Sequence, residues 1–285
     1  GGRFEPWTII AFRELTLSMA DFELSSPKCL GSTVVLGYCD IGAAGIRVLE
    51  GMSGASTLRE TGREALTFSG MGAAVFAGLP AFEAVHFQGP GEPADDQHSE
   101  PSVTLLKLNT AVGQDLSALL SMSLVDVLAA RGPALRRLIV VVAVQPPKRH
   151  QLPTTAAKIP PDSVCTFSCG VGDNEVSSSS SVSSSPSFSG LPVLPTGARI
   201  ADLFLTNLVR LCRLEELPLI VLARLGYRTT GAAADVDGTD EVISALGQCL
   251  AKSMGLEFDS ERACGARRSK GWKGAAPAQL VPGYI

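Results

Sequence analysis

Leu138-Ile139-Val140-Val141-Val142-Ala143-Val144 is apolar at every position, without the alternation of a strand that keeps one face wet. Such a run predicts a strand covered on both faces, the situation of a parallel sheet between two helical layers. Its neighbours fit that reading. Upstream, Leu116, Leu119, Leu120, Leu124, Val127 and Leu128 recur at helical spacing, and Gly132-Pro133 ends the helix. Further back, Thr33-Val34-Val35-Leu36-Gly37-Tyr38 reads as a buried strand, and Asp40 stands where it can cap a helix over 41–49. Short strands are expected at 65–68, 84–87 and 103–108, between Gly and Pro turns.

Downstream the order breaks. Pro146-Pro147, Pro160-Pro161 and the Ser-rich tract 177–187 bury too little apolar area to offset the entropy of ordering. Residues 146–190 are therefore expected to form a flexible Pro/Ser-rich insertion, broken by a short strand at 164–168. Order returns at Leu191. Thr196 can cap a helix in which Ile200, Leu203, Phe204, Leu208 and Leu211 form one stripe. Leu205, Val209 and Cys212 add a second apolar strip, so this helix is expected to be covered on more than one side, with those three residues facing a partner. Leu217-Pro218-Leu219-Ile220-Val221-Leu222-Ala223 is a strand with Pro at its start. A helix from Thr239 carries Ile243, Leu246, Leu250 and Met254. The order predicts a single α/β sandwich domain, residues 1–258, with a largely parallel central sheet, and a disordered basic tail over 259–285.

Composition narrows the function classes. Only 18% of the residues are charged while 45% are hydrophobic, which predicts a large core or an apolar surface kept for another protein. A net charge of −4 gives no basic field to recruit nucleic acid. The longest apolar run is far shorter than the roughly 20 residues needed to cross a bilayer, so no membrane partner is expected. The 7 cysteines show no metal-ligand or disulfide spacing, and an intracellular, reduced setting is expected.

Motifs for chemistry are sparse. The Gly37–Gly45 turn between strand and helix has the spacing G-x4-G-x2-G and no following Lys, so close packing of helix on strand explains its glycines at least as well as a nucleotide does. A small-molecule enzyme with its ligand at this turn is the alternative reading. There is no GxSxG elbow, and His86, His98 and His150 have no local nucleophile partner. Asp95, Asp96, His98 and Glu100 share one loop, for which solvation is the simpler account than a metal. No cofactor or metal is expected.

The carboxyl terminus is richer. Arg262, Arg267, Arg268, Lys270 and Lys273 oppose only Glu261, a side-chain net of about +4 in an acidic chain. A flexible tail of that length reaches roughly 28 Å, and ends in the ring of Tyr284, the apolar Ile285 and a carboxylate.

Taken together, 194–225 (an apolar helix ending Cys212-Arg213-Leu214, then the Pro-introduced strand), the helix over 240–250, the opening unit over 33–49 and the penultimate Tyr284 resemble the proteasome assembly chaperone 1 and 2 family, with 194–225 more similar to the chaperone 1 type. The resemblance covers roughly residues 30–255 plus the tip and leaves out the Ser-rich insertion. It implies a protein that is not an enzyme, that pairs with a related chaperone 2-like subunit, and that holds proteasome α-subunits while their ring forms. It also implies a cytoplasmic, and further a nuclear, location, and a tail in which Val281, Gly283, Tyr284 and Ile285 dock between α-subunits. Gly283 departs from the apolar residue the family prefers there, with Val281 the nearest apolar substitute.

Overall fold

The structure, a computed structural model, describes residues 30–38, 40, 43–68, 80–89, 101–108, 112–144, 163–169, 188, 190–194, 202–226 and 239–269. In chain order its elements are β1 (Thr33–Tyr38), α1 (Ala44–Glu50), β2 (Met52–Ser53), β3 (Arg59–Leu66), β4 (Phe82–Gln88), β5 (Val103–Leu108), α2 (Gln114–Ala129), β6 (Arg137–Val144), β7 (Cys165–Cys169), α3 (Leu203–Leu214), β8 (Leu219–Leu225), α4 (Thr239–Met254), β9 (Glu257–Phe258) and α5 (Ser260–Ser269).

Among the described residues the main sheet has seven strands in the order β3-β4-β5-β1-β6-β8-β7. Its four central strands are parallel: β1 pairs with β5 and β6, and β6 with β8. The outer strands β4, β3 and β7 run antiparallel to their neighbours. The run that opened the reading is β6, at the sheet's centre. Its even-numbered residues Leu138, Val140, Val142 and Val144 enter one core, under α2 and α3, while Ile139, Val141 and Ala143 enter another, under α1 and α4. Both sets are 0–3% exposed, so an alternating strand with a wet face could not stand here. Each such aliphatic side chain contributes about 1.5–3 kcal/mol by burial, and this two-sided burial makes the fold an α/β sandwich with a largely parallel sheet, as predicted.

Several expectations need correction. The strand expected at 65–68 begins earlier: β3 is Arg59–Leu66, five of whose residues are charged or polar on an edge, so hydrophobicity did not reveal it. Within 146–190, by contrast, the short strand expected at 164–168 is present, one residue later. This strand, β7, joins the sheet beside β8, with Cys165 and Cys169 turned inward, and Thr166 is bonded to Pro192 and Leu194, which close over that edge. The Ser-rich tract 177–187 lies outside the described residues. The cap of α3 is Asp202, its carboxylate accepting from Leu205 N at 2.9 Å, and Thr196, expected to cap this helix, lies outside the described residues. The segment from 259 onward is not a disordered tail at its start. Asp259 accepts from Arg262 N, Ala263 is buried against the α1–α4 layer, and α5 runs to Ser269.

Candidate functional site

In open α/β sheets, ligands enter the crevice where neighbouring strands send their connections to opposite faces. Here that place lies between β1 and β6: α1, which follows β1, covers one face, while α3, which lies between β6 and β8 in the chain, covers the other. The residues at these strand ends are Tyr38, Asp40 and Ala143, with Asp202 at the start of α3. Asp40 accepts from Gly45 N at 3.1 Å with one oxygen and from Ala143 N with the other. Tyr38 is buried, its ring edge-on to Phe204 at 4.9 Å, and its hydroxyl donates to Asp202 Oδ2 at 2.8 Å. Burial pushes the Asp40 carboxyl up to about 8, against the pull of the Ala143 and Gly45 N–H groups. Burial, then the nearby Asp202 and Asp40, pushes the Tyr38 phenol well above its ordinary range.

Among the described residues, two N–H groups at this place are thus taken up by the chain's own Asp40. The Gly45 N–H of the first turn, a donor that a bound anion would need, is already taken by the Asp40 carboxyl group. Gly37 and Gly45 have a packing reason as well. A Cβ on Gly45 would sit 2.5 Å from Val141 O, and one on Gly37 would sit 2.4 Å from Gly45 O. Both glycines let the backbone of α1 lie directly on β1 and β6. Packing, not phosphate, accounts for them.

Of the three residues expected to face a partner, Leu205 and Cys212 do not reach the surface. Leu205 and Cys212 are 0% exposed and belong to the core beneath α3, and Val209 is half-buried against that core. Leu205 and Cys212 are corrected to core positions, in the layer above β6 and β8, while α2 meets α3 at Phe204 and Asn207, bonded by Ser121 and Ser117. The free side of α3 carries Leu203, Arg210, Arg213 and Leu214 instead; Leu203 is 43% and Leu214 76% exposed. The spacing of eleven residues returns Leu203 and Leu214 to one face of the helix, a signal that the sequence held but the broad apolar stripe obscured. Val281, Gly283, Tyr284 and Ile285 lie outside the described residues, as do His98, His150, Asp95, Asp96 and Glu100.

Other chemistry is absorbed by the fold. His86 sits 3.0 Å from Thr104 Oγ1 and 3.8 Å from Glu64, and burial lowers its pKa. Burial pushes the Cys212 thiol up to about 12, which makes it a poor nucleophile. Sequence reading missed three buried cations. Lys107 bridges Glu50 at 3.1 Å and Glu83 at 3.0 Å; Arg224 is held by Glu241; Arg47 donates to Ala263 O, Cys264 O and Asp240, tying α5 to α1 and α4. Only their positions on apolar elements hinted at burial. Among the described residues no cluster of His, Cys, Asp and Glu has the geometry to hold a metal, and no helix is long and apolar enough to cross a membrane.

No protein-family model and no curated protein matches the chain. Among solved structures it is similar to Pyrococcus furiosus PbaB, described as an archaeal proteasome activator, at 13% identity over 88% of this chain and 95% of that one, with a TM-score of 0.47. It is similar also to PbaA of the same organism, described as an archaeal homolog of proteasome-assembly chaperone, at 13% identity over 87% and 92%, TM-score 0.46. A third is a protein of unknown function from Thermoplasma acidophilum, at 7% identity over 94% and 92%, TM-score 0.45. At these identities and scores the likeness assigns neither a family nor a role.

Proposed function

We propose that this chain is a proteasome assembly chaperone subunit, a binding protein and not an enzyme, which pairs with a related chaperone and holds proteasome α-subunits while their ring forms. The observation that carries the reading is that Asp40 takes up the Gly45 and Ala143 N–H groups at the β1–α1 turn. Where a sheet of this kind would bind a small molecule, these donors are already taken and Gly37 and Gly45 are used for packing. The chain's apolar excess and its small share of charge then fit binding of other polypeptides. Support comes also from the element order α3, Pro218-introduced β8, α4, which is the order the sequence resemblance implies. Contact with the paired chaperone falls on the outer side of α3, at Leu203, Arg210, Arg213 and Leu214, in place of the buried Leu205 and Cys212. The tail beyond α5 supplies Val281, Tyr284 and Ile285 to a pocket between α-subunits, and the protein works in the cytoplasm and nucleus.

The test uses the full chain beside a chain lacking Tyr284 and Ile285, each as bait for purified proteasome α-subunits. The full chain is expected to retain them and the shortened one to lose most of that binding. Equal retention removes the tail from the mechanism. No retention by either, together with a rise in melting temperature on adding a nucleotide, returns the function to a small ligand at the β1–α1 turn.

A further inference from the structure

The two edges of the sheet end differently. Beyond β7 the chain's own residues 192–194 bond to Thr166, whereas among the described residues no strand pairs with the outer side of β3. Such an edge is a template for another strand unless its sequence forbids the pairing. Arg59-Glu60-Thr61-Gly62-Arg63-Glu64 does forbid most pairings, and permits one.

We infer that β3 is the contact through which two copies of this chain associate, antiparallel, about a two-fold axis at Gly62. In that register, with Thr61 left out of the pairing as it is opposite β4, Gly62 faces Gly62, Arg59 stands opposite Glu64 of the second copy, and Glu60 opposite Arg63. Each of these pairs occurs twice by symmetry, and every pair joins opposite charges. The faces agree as well. The β3–β4 register, with its irregularity between Glu60 and Gly62, sets Glu60 and Arg63 on the side of Glu83 and Lys107. It sets Glu64, and by alternation Arg59, on the side of His86. Opposed residues of an antiparallel pair share a face, so both pairs can close.

Neighbouring registers fail. A shift of one residue one way sets Arg59 against Arg63; a shift the other way sets Glu60 against Glu64. Parallel pairing in register sets every charge against its own kind. The alternating charges thus exclude stray strands and slipped partners and leave one self-complementary solution. Gly62 fits the centre of it. A Cβ there would meet nothing within 4 Å, so the monomer has no steric need of glycine at that point, while a strand interior often carries glycine where another backbone comes close. Pairing here does not use the outer side of α3, so the contact goes beyond the proposed chaperone role and stands or falls separately from it.

The experiment is sedimentation of the full chain across a concentration series, with two single variants, Arg59→Glu and Glu64→Arg. Wild type is expected to move from monomer to dimer, each variant alone to dimerise at least about tenfold more weakly, and their equimolar mixture to recover dimer, since mixing restores opposite charges at both 59–64 pairs. A register test accompanies it. Gly62→Cys places two thiols face to face, so diamide, which takes up their two electrons and two protons, forms an intermolecular disulfide. Ala65→Cys puts the thiols roughly 20 Å apart and cross-links no more than wild type. A wild type that stays monomeric at the highest concentration, a mixture no more dimeric than its components, or equal cross-linking at 62 and 65 overturns the inference.

Discussion

The centre of the sheet and its β3 rim use polar groups in opposite ways. At the centre, Asp40, Tyr38 and Asp202 spend their oxygens on Gly45 N, Ala143 N, a phenol and the first turn of α3, all within the chain. At the rim, Arg59, Glu60 and Arg63 are exposed, and the ion pairs that Arg63 makes with Glu60 and Glu83 lie at the surface, where such pairs contribute about 0–1 kcal/mol. The difference separates what holds this fold from what it offers outward. A buried polar group whose partner is removed costs its full desolvation; an exposed one goes back to water.

The largest effect expected is at the centre. Gly45→Ala forces a methyl to within 2.5 Å of Val141 O and just over 3 Å of Tyr38 N and O, all backbone atoms that cannot rotate away. Helix α1 must lift from the sheet, at a cost of about 3 kcal/mol, the upper end for an overpacked core. Urea unfolding followed by far-UV dichroism measures it. A loss below about 1 kcal/mol would mean that α1 does not lie on β1 and β6 as closely as described.

The centre was largely readable in the sequence because its cause is local. Seven consecutive apolar residues from Leu138 have one explanation, and the apolar helical spacing from Leu116 to Leu128 another. The rim was not. Arg59–Leu66 is a strand because it pairs with Phe82–Gln88 across a long connection, and its charges give period-2 reading nothing apolar to find. The same limit explains α3. Its wide apolar stripe said rightly that more than one side is covered, but periodicity cannot say whether the cover is another chain or the helix α2 of the same chain. It also explains α5, which lacks an apolar stripe and is held by Ala263 and by Arg47, a residue more than two hundred positions away. The role of Asp40 needed the structure, since nothing in Gly37–Gly45 tells that its side chain turns back onto the helix and across to Ala143.

A smaller effect is expected from Asp40, and it depends on pH. Asp40→Ala leaves the Gly45 and Ala143 N–H groups without their acceptor, a loss of about 2 kcal/mol. Asp40→Asn keeps an acceptor but cannot ionise. In wild type the folded carboxyl is raised to about 8 from an ordinary 3.8, so between those values the folded state holds a proton that the unfolded chain has released. Stability from this group therefore falls as pH rises through that window and levels off above it. His86 works in the other direction: its lowered pKa means that the unfolded state binds the extra proton, so its contribution falls as pH drops below about 6.5. Melting temperatures of wild type and Asp40→Asn, taken from pH 5 to 9, should converge at the acid end and separate toward the alkaline end, with the variant the more stable there. Parallel curves would show that the Ala143 and Gly45 N–H groups hold the carboxyl ionised throughout.

The smallest effect belongs to the rim. Arg59→Glu reverses a charge on an exposed edge residue and should move the stability of the monomer by no more than about 0.5 kcal/mol. Measured at low protein concentration, that near-silence is informative because the same substitution is expected to weaken self-association strongly. A residue whose reversal leaves folding alone and abolishes pairing is one whose charge is directed at another chain. If instead Arg59→Glu lowers the unfolding free energy by more than about 1 kcal/mol while leaving the concentration dependence of sedimentation untouched, the charge pattern of β3 serves the fold, and the rim is as self-contained as the centre.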